Sequence, residues 1–163
     1  MITVRPTVPE DVSTLCLLQK KAFYPLYLRY HDAHNPYLRG EEDISRRLNH
    51  PNFAYFTILY DDQIVGGVLY ILQGRGVTFD HLEPGEYYLS RIYVDPDFQG
   101  RHMGRVAIAL CESYFPDAKQ FFVDFPQDLE KNRRCYEACG FRDTGERIET
   151  DPGVVLALMK KEV

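Results

Sequence analysis

Hydrophobic and polar positions change their period several times along the chain. Ile2 to Pro6 alternates and predicts a short strand. From Pro9 to Phe23 the period lengthens. Val12, Leu15, Cys16, Leu18, Ala22 and Phe23 approximate helical spacing, and Pro9-Glu10-Asp11 suits a first turn. Pro25 ends this helix or bends it. Glu41 to Asn49 reads as a second short helix. Phe53–Tyr60 and Ile64–Leu72 read as strands around Asp61-Asp62-Gln63, a hairpin. Gly74 and Gly76 start a loop that runs to Gly85, and Tyr87–Val94 is a strand ending at Asp95-Pro96. Arg101–Phe115 is a helix with Met103, Val106, Ala107, Leu110 and Tyr114 on one side, closed by Pro116-Asp117. Gln120–Phe125 is a strand. Asp128–Cys139 is a short helix with Asp128 placed to cap it and Gly140 just beyond its end. Phe141–Ile148 and Val154–Lys160 are strands joined by Asp151-Pro152-Gly153. The order β-α-α-β-β-β-α-β-α-β-β predicts an α/β or α+β domain around a mixed sheet.

Composition narrows this picture. The chain of 163 residues, read as one domain over 1–163, is 45% apolar and 26% charged, which excludes a disordered polymer. The net charge of −5 argues against a nucleic-acid binder and suits a cationic substrate slightly better than an anionic one. No apolar run approaches the ~20 residues of a membrane helix, so no membrane partner is expected. Met1-Ile2-Thr3-Val4-Arg5 does not resemble a signal peptide, and a cytoplasmic protein is expected. Cys16, Cys111, Cys135 and Cys139 fit that compartment as reduced thiols, and their spacing matches no zinc pattern. Cys135 and Cys139, four apart, can share a helix face.

Two stretches bear candidate chemistry. In the first, Phe23, Tyr24, Tyr27, Tyr30 and Tyr37 are interleaved with Arg29, His31, His34 and Arg39. This is either an aromatic helix face followed by a loop, or one wall of a substrate pocket with polar tips. His31 and His34 lack a third partner, and no metal site is assigned. The second runs from Tyr88 to Gly104, where a strand enters a tight turn and glycines and basic residues open a helix. A helix N-terminus has about four unpartnered N–H groups and partial positive charge, which suits a phosphate or pyrophosphate. Neither a nucleotide P-loop nor a dinucleotide fingerprint is present.

Gln99-Gly100-Arg101-His102-Met103-Gly104, after a strand ending Val94-Asp95-Pro96, resembles motif A of the GNAT superfamily of acyl-CoA-dependent N-acyltransferases. Asn132-Arg133-Arg134-Cys135-Tyr136-Glu137-Ala138-Cys139-Gly140-Phe141 resembles motif B of the same family. The resemblance covers nearly the whole chain, Ile2 to Lys160. It implies a GNAT-like fold, with a mixed, mostly antiparallel central sheet and helices on both faces. Two departures stand out. His102 takes the place of the usual first glycine of motif A. Leu129 stands where many relatives carry an asparagine, a role that Asn132 would take over.

The resemblance implies an N-acetyltransferase using acetyl-CoA on a primary amine of a small molecule or peptide. The alternative is a GNAT-shaped module that binds CoA thioesters without turnover. By the same resemblance, Ile92, Tyr93 and Val94 offer main-chain hydrogen bonds to the pantetheine arm. The backbone N–H groups of Arg101, His102, Met103, Gly104, Arg105 and Val106 hold the pyrophosphate beside Gln99 and Gly100. Tyr136 matches the family's proton donor to the leaving thiolate, and a phenol with a reference pKa near 10 suits that task. Asp124, a charge in the otherwise apolar Phe121–Phe125 strand, is the first candidate base or else bonds a neighbouring loop, and Glu86 is the second. Tyr24, Tyr27, Tyr30 and Tyr37, with the Gly74–Gly85 loop, would line the acceptor pocket. A monomer or a homodimer is expected.

Overall fold

The computed structural model describes all 163 residues, Met1–Val163. Seven strands form one sheet: β1 (Ile2–Pro6), β2 (Phe53–Tyr60), β3 (Gln63–Ile71), β4 (Glu86–Val94), β5 (Gln120–Pro126), β6 (Arg142–Asp151) and β7 (Val154–Glu162). Their spatial order is β1-β2-β3-β4-β5-β7-β6. Only β4 and β5 run parallel, so the expected mixed, mostly antiparallel sheet is the observed one.

Helices cover both faces. Helices α1 (Val12–Tyr30) and α2 (Glu41–Arg47) lie on one face, where Val12, Leu15, Cys16 and Ile44 pack on Tyr55, Leu69 and Tyr93. Helices α3 (Met103–Glu112) and α4 (Glu130–Ala138) lie on the other. There Met103, Ala107, Ile108, Cys111 and Tyr136 close a larger core with Tyr70, Leu89, Phe121, Val123 and Met159. The alternation of buried residues along β5 explains how one strand serves both layers: Phe121, Val123 and Phe125 face α3 and α4, while Phe122 and Asp124 face the other way.

Several elements depart from the expected boundaries, three of them by helix ends that shape the site. α1 continues through Pro25 to Tyr30 instead of ending near Phe23. Proline costs about 3 kcal/mol inside a helix, but the turns beyond it are anchored. Tyr24 and Tyr27 pack on the Tyr37 ring with centroids 4.9 and 5.4 Å away, and Arg29 and Tyr30 bind Asp128 at 2.7 and 2.6 Å. Asp128 is thereby spent on α1 and does not cap α4, whose N-cap is Leu129. α3 starts at Met103 rather than Arg101, because His102 is left-handed, with φ 59°.

β3 and β4 mismatch by one residue: Leu69 pairs with Arg91 and Tyr70 with Leu89, which leaves Ser90 as a bulge. Gly66 permits the close pairing beyond it, since a Cβ there would collide with the Tyr93 carbonyl. β4 pairs with β5 only from Glu86–Leu89 to Gln120–Val123. From Ser90 onward the two strands part, and a wedge opens in the middle of the sheet.

Candidate active site

The wedge brings together the ends of four elements. Its β4 side is Ile92, Tyr93 and Val94, paired to β3 on one edge and without a β5 partner on the other. The Tyr93 side chain turns into the α1 face, where its hydroxyl lies 2.8 Å from that of Tyr55. What Tyr93 offers the wedge is therefore backbone. Gln99 Nε2 donates to the Val94 carbonyl at 3.1 Å and ties the following turn back to the strand. Lys21 of α1 holds the same turn through Asp95 at 2.8 Å and Asp97 at 2.9 Å.

That turn is a concavity of backbone amides. Gly100 and His102 both have positive φ, 85° and 59°, on either side of Arg101. Such alternation turns successive N–H groups toward one point. The amides of Gly100, Arg101, His102, Met103, Gly104 and Arg105 donate to no protein carbonyl, whereas the Val106 amide is taken by His102 O at 3.1 Å. The left-handed position explains why a glycine is the easier choice at 102, and it shows that His102 keeps the same backbone path. The Arg101 guanidinium lies over the Tyr60 and Phe98 rings, 5.7 and 5.5 Å from their centroids. A donor set of free amides at the head of α3, beside a partial positive charge, fits a pyrophosphate.

Tyr136 reaches the wedge from α4. Its ring is clamped by Phe125 and Phe141 at 5.4 and 6.0 Å, and only 6% of the residue is exposed. The hydroxyl makes no hydrogen bond within the chain, yet it is not sealed in. The buried side-chain polar atoms that lack partners are Arg47 Nε, the Tyr70 hydroxyl and Glu112 Oε2. Burial, with the nearby Cys135 and Asp124 groups, pushes the Tyr136 phenol well above its ordinary range. It is a protonated donor at any physiological pH. Asn132, one turn before Tyr136 on α4, is half-buried.

Asp124 lies one residue beyond the last β5 position paired with β4. It accepts a hydrogen bond on Oδ2 from Thr78 Oγ1 at 2.9 Å, while Oδ1 has no partner. Burial raises its carboxyl to about 6 and the Thr78 bond opposes that rise. The loop contact expected of Asp124 is therefore present, and the carboxylate is desolvated as well. Glu86 is not brought to the wedge. It sits at the paired end of β4, where its oxygens accept from the Glu83 amide and from Gln120 Nε2, both at 2.9 Å.

The tyrosines separate into two groups. Tyr24 and Tyr27, at the end of α1, both pack on the Tyr37 ring. Tyr30 crosses to Asp128 in the β5–α4 connection, so it spans from α1 to the far side of the wedge. Thr78 is the residue that sequence reading missed. Only its loop, Gly74–Gly85, was singled out, and a lone loop threonine carries no periodic or motif signal. Behind the site, Cys135 lies against the first turn of α3: a Cβ on Gly104 would sit 3.8 Å from its sulfur. The neighbouring Cys139, then Arg105 and Lys131, hold the Cys135 thiol below the usual thiol range despite burial.

The family model described as the acetyltransferase (GNAT) family matches residues 18–141, well over half of the chain. Solved structures share its fold at low sequence identity. PaiA N-acetyltransferase from Thermoplasma acidophilum, in complex with coenzyme A, superposes with a TM-score of 0.77 at 14% identity, covering 100% of this chain and 99% of that one. The ribosomal-protein-S18-alanine N-acetyltransferase from Escherichia coli gives 0.72 at 15% identity, covering 100% and 94%. Aminoglycoside acetyltransferase AAC(6')-Ib, in complex with coenzyme A and kanamycin, gives 0.75 at 15%, covering 99% and 95%. No curated protein sequence matches the chain. No helix is long and apolar enough to cross a membrane.

Proposed function

Because the chain belongs to the GNAT acetyltransferase family, we propose that it moves an acetyl group from acetyl-CoA to a primary amine by direct attack within the β4/β5 wedge. One observation carries the reading. Where the two strands part, α4 and β5 each contribute an unpartnered polar group, of opposite proton character: the Tyr136 hydroxyl, a donor, and Asp124 Oδ1, an acceptor, close enough for the carboxylate to influence the phenol. Such divergence marks an acid and a base with separate tasks.

The free amides of Gly100 to Arg105 suit the pyrophosphate of the donor, and the open edge of Ile92, Tyr93 and Val94 suits its pantetheine arm. Acetyl-CoA, when bound, supplies an activated acyl group. Asp124 takes a proton from the incoming ammonium, so that a neutral amine meets the carbonyl carbon. Backbone N–H groups along the β4 edge donate to the carbonyl oxygen as negative charge gathers there. Tyr136 gives its proton to the departing thiolate sulfur. The Phe125 and Phe141 rings surround the Tyr136 ring and lower the dielectric around its proton transfer.

The acceptor class is a cationic amine. Kanamycin in the aminoglycoside acetyltransferase complex and the alanine amine named for the S18 enzyme are both of that kind. The net charge of −5 favours approach of a cation. Glu86 has no part in this mechanism, and the Val106 amide has none in the cradle.

Calorimetric titration with acetyl-CoA, CoA and ATP tests the cofactor, and a panel of spermidine, kanamycin, lysine and an alanine-terminated peptide tests the acceptor. Micromolar binding of both CoA species, far weaker ATP binding and turnover of one amine are expected. Binding without turnover of any amine would identify a thioester-binding module instead. Asp124→Asn should abolish the rise in kcat/KM through about pH 6. A raised carboxylate is the active base only above its pKa, so the wild-type rate climbs as pH increases through that value. Persistence of the limb in the variant would remove Asp124 as the base.

A further inference from the structure

Asp124 is not placed by β5 alone. Its one hydrogen-bond donor comes from Thr78, 46 positions earlier in the chain, in the loop between β3 and β4. Thr78 Oγ1 also lies 3.2 Å from the Tyr88 hydroxyl of β4. The loop is seated firmly. Phe79 packs on Tyr88 with ring centroids 4.5 Å apart, and Leu82 is buried with Ile71, Tyr88 and Leu158.

The proton directions in this chain follow from valence. An ionised carboxylate only accepts, and a hydroxyl has one proton to give. Thr78 therefore donates to Asp124 Oδ2, and Tyr88 donates to Thr78. Both carboxylate oxygens are then distinguished: Oδ2 is engaged and Oδ1 is bare.

We propose that Thr78, polarised by Tyr88, is the positioning residue of this site: it holds Asp124 by Oδ2, presents Oδ1 as the single acceptor of the amine proton, and keeps the carboxylate ionised inside an apolar sheet. The inference rests on the reading of Asp124 as the base. The consequence is that the β3–β4 loop tunes the strength of the base through one hydroxyl.

No charge competes with Thr78 for this role. From β4 the titratable group near Asp124 is Tyr88, and from α4 it is Tyr136. On β7 its register partner is Leu158, while Lys160, paired with Phe122, is drawn to Glu162 at 3.4 Å. From α1, Arg29 and Tyr30 are committed to Asp128.

The test reads the carboxyl directly, with no amine present. The whole chain is labelled with carboxyl-¹³C aspartate and titrated by NMR, and the Asp124 signal is identified by its loss in Asp124→Asn. Thr78→Val should move its midpoint upward by about one pH unit, since a hydrogen bond to a charged group is lost while burial remains. Thr78→Ser should restore the wild-type midpoint. Tyr88→Phe should shift it upward by less. A Thr78→Val midpoint at the wild-type value, or a Thr78→Ser shift as large as that of valine, overturns the proposal. Should the valine variant not fold, an unmoved midpoint in Tyr88→Phe overturns it too. Failure of the base reading is separate: it shows in the pH–rate profile of Asp124→Asn and leaves this titration unaffected.

Discussion

Tyr136 combines two demands that normally conflict, a packed ring and a free hydroxyl. Phe125 and Phe141 hold the ring, so the hydroxyl is aimed without being bonded. Tyr136→Phe keeps the ring and its packing but removes the proton. We expect kcat to fall by about a hundredfold or more, with acetyl-CoA affinity nearly unchanged, measured by pre-steady-state acetyl transfer and by calorimetry. Wild-type kcat where chemistry limits the rate would remove this role. Tyr136 was legible because it stands before Cys139-Gly140-Phe141 in a recognisable motif, and Asp124 because a charge in an apolar strand has to be explained. Thr78 was not legible. Its partner is distant in sequence, and hydroxyls are common in loops.

The turn from β4 into α3 makes a different kind of site, since its working parts are amides and not side chains. Positive φ at Gly100 and His102 places those amides, and the late start of α3 at Met103 lengthens the row of free donors. A side chain at Gly104 would meet only ordinary contacts, 3.8 Å from Cys135 Sγ and from Ile92 Cδ1. Gly104→Val should therefore leave thermal unfolding within a few degrees of the wild type while weakening CoA binding at least tenfold, because the added methyls crowd the amide row. Unchanged CoA affinity by calorimetry would move the pyrophosphate elsewhere. The α1 helix teaches the opposite lesson about local rules. Pro25 forecasts a stop or a bend, and the Tyr24, Tyr27 and Tyr30 contacts carry the helix past it, while Asp128 gives up its capping position to receive Tyr30 and Arg29. Propensity operates on a few neighbours, and tertiary anchors outweighed it.

Across the molecule, the wedge depends on what pulls β4 away from β5. Just after the Ser90 bulge, Arg91 is drawn into the α1/α2 face, where its guanidinium binds Asp43 at 3.2 Å and Gln19 Oε1 at 2.8 Å. The Arg91 side chain is only 8% exposed. Asp43 also receives Arg47, and these guanidinium partners hold its carboxyl below the usual range against the cost of burial. Asp43→Ala would leave Arg91 charged and short of its counter-ion, which costs about 3–5 kcal/mol in comparable buried pairs. Urea unfolding should show a loss of that size. A loss under 1 kcal/mol would mean that Gln19 and water suffice for Arg91 and that the bulge is held by the β3 pairing alone.

Periodicity and turn residues were enough to specify the order of elements and a mixed sheet, and resemblance to a known family picked out the two motifs, because each depends on residues within a few positions of one another. The parting of β4 from β5 was not contained in any local pattern. It coincides with a one-residue mismatch with β3 and with an arginine drawn to the opposite face. The distinction between Asp124 and Glu86 is of the same origin. Both are carboxylates on neighbouring strands, but Glu86 falls at the paired end and bonds Glu83 and Gln120, while Asp124 falls where pairing stops. Residue type supplied the possible acids and bases. Strand register and the loop that reaches across it selected which of them stands free, because desolvation and hydrogen bonding are properties of three-dimensional surroundings.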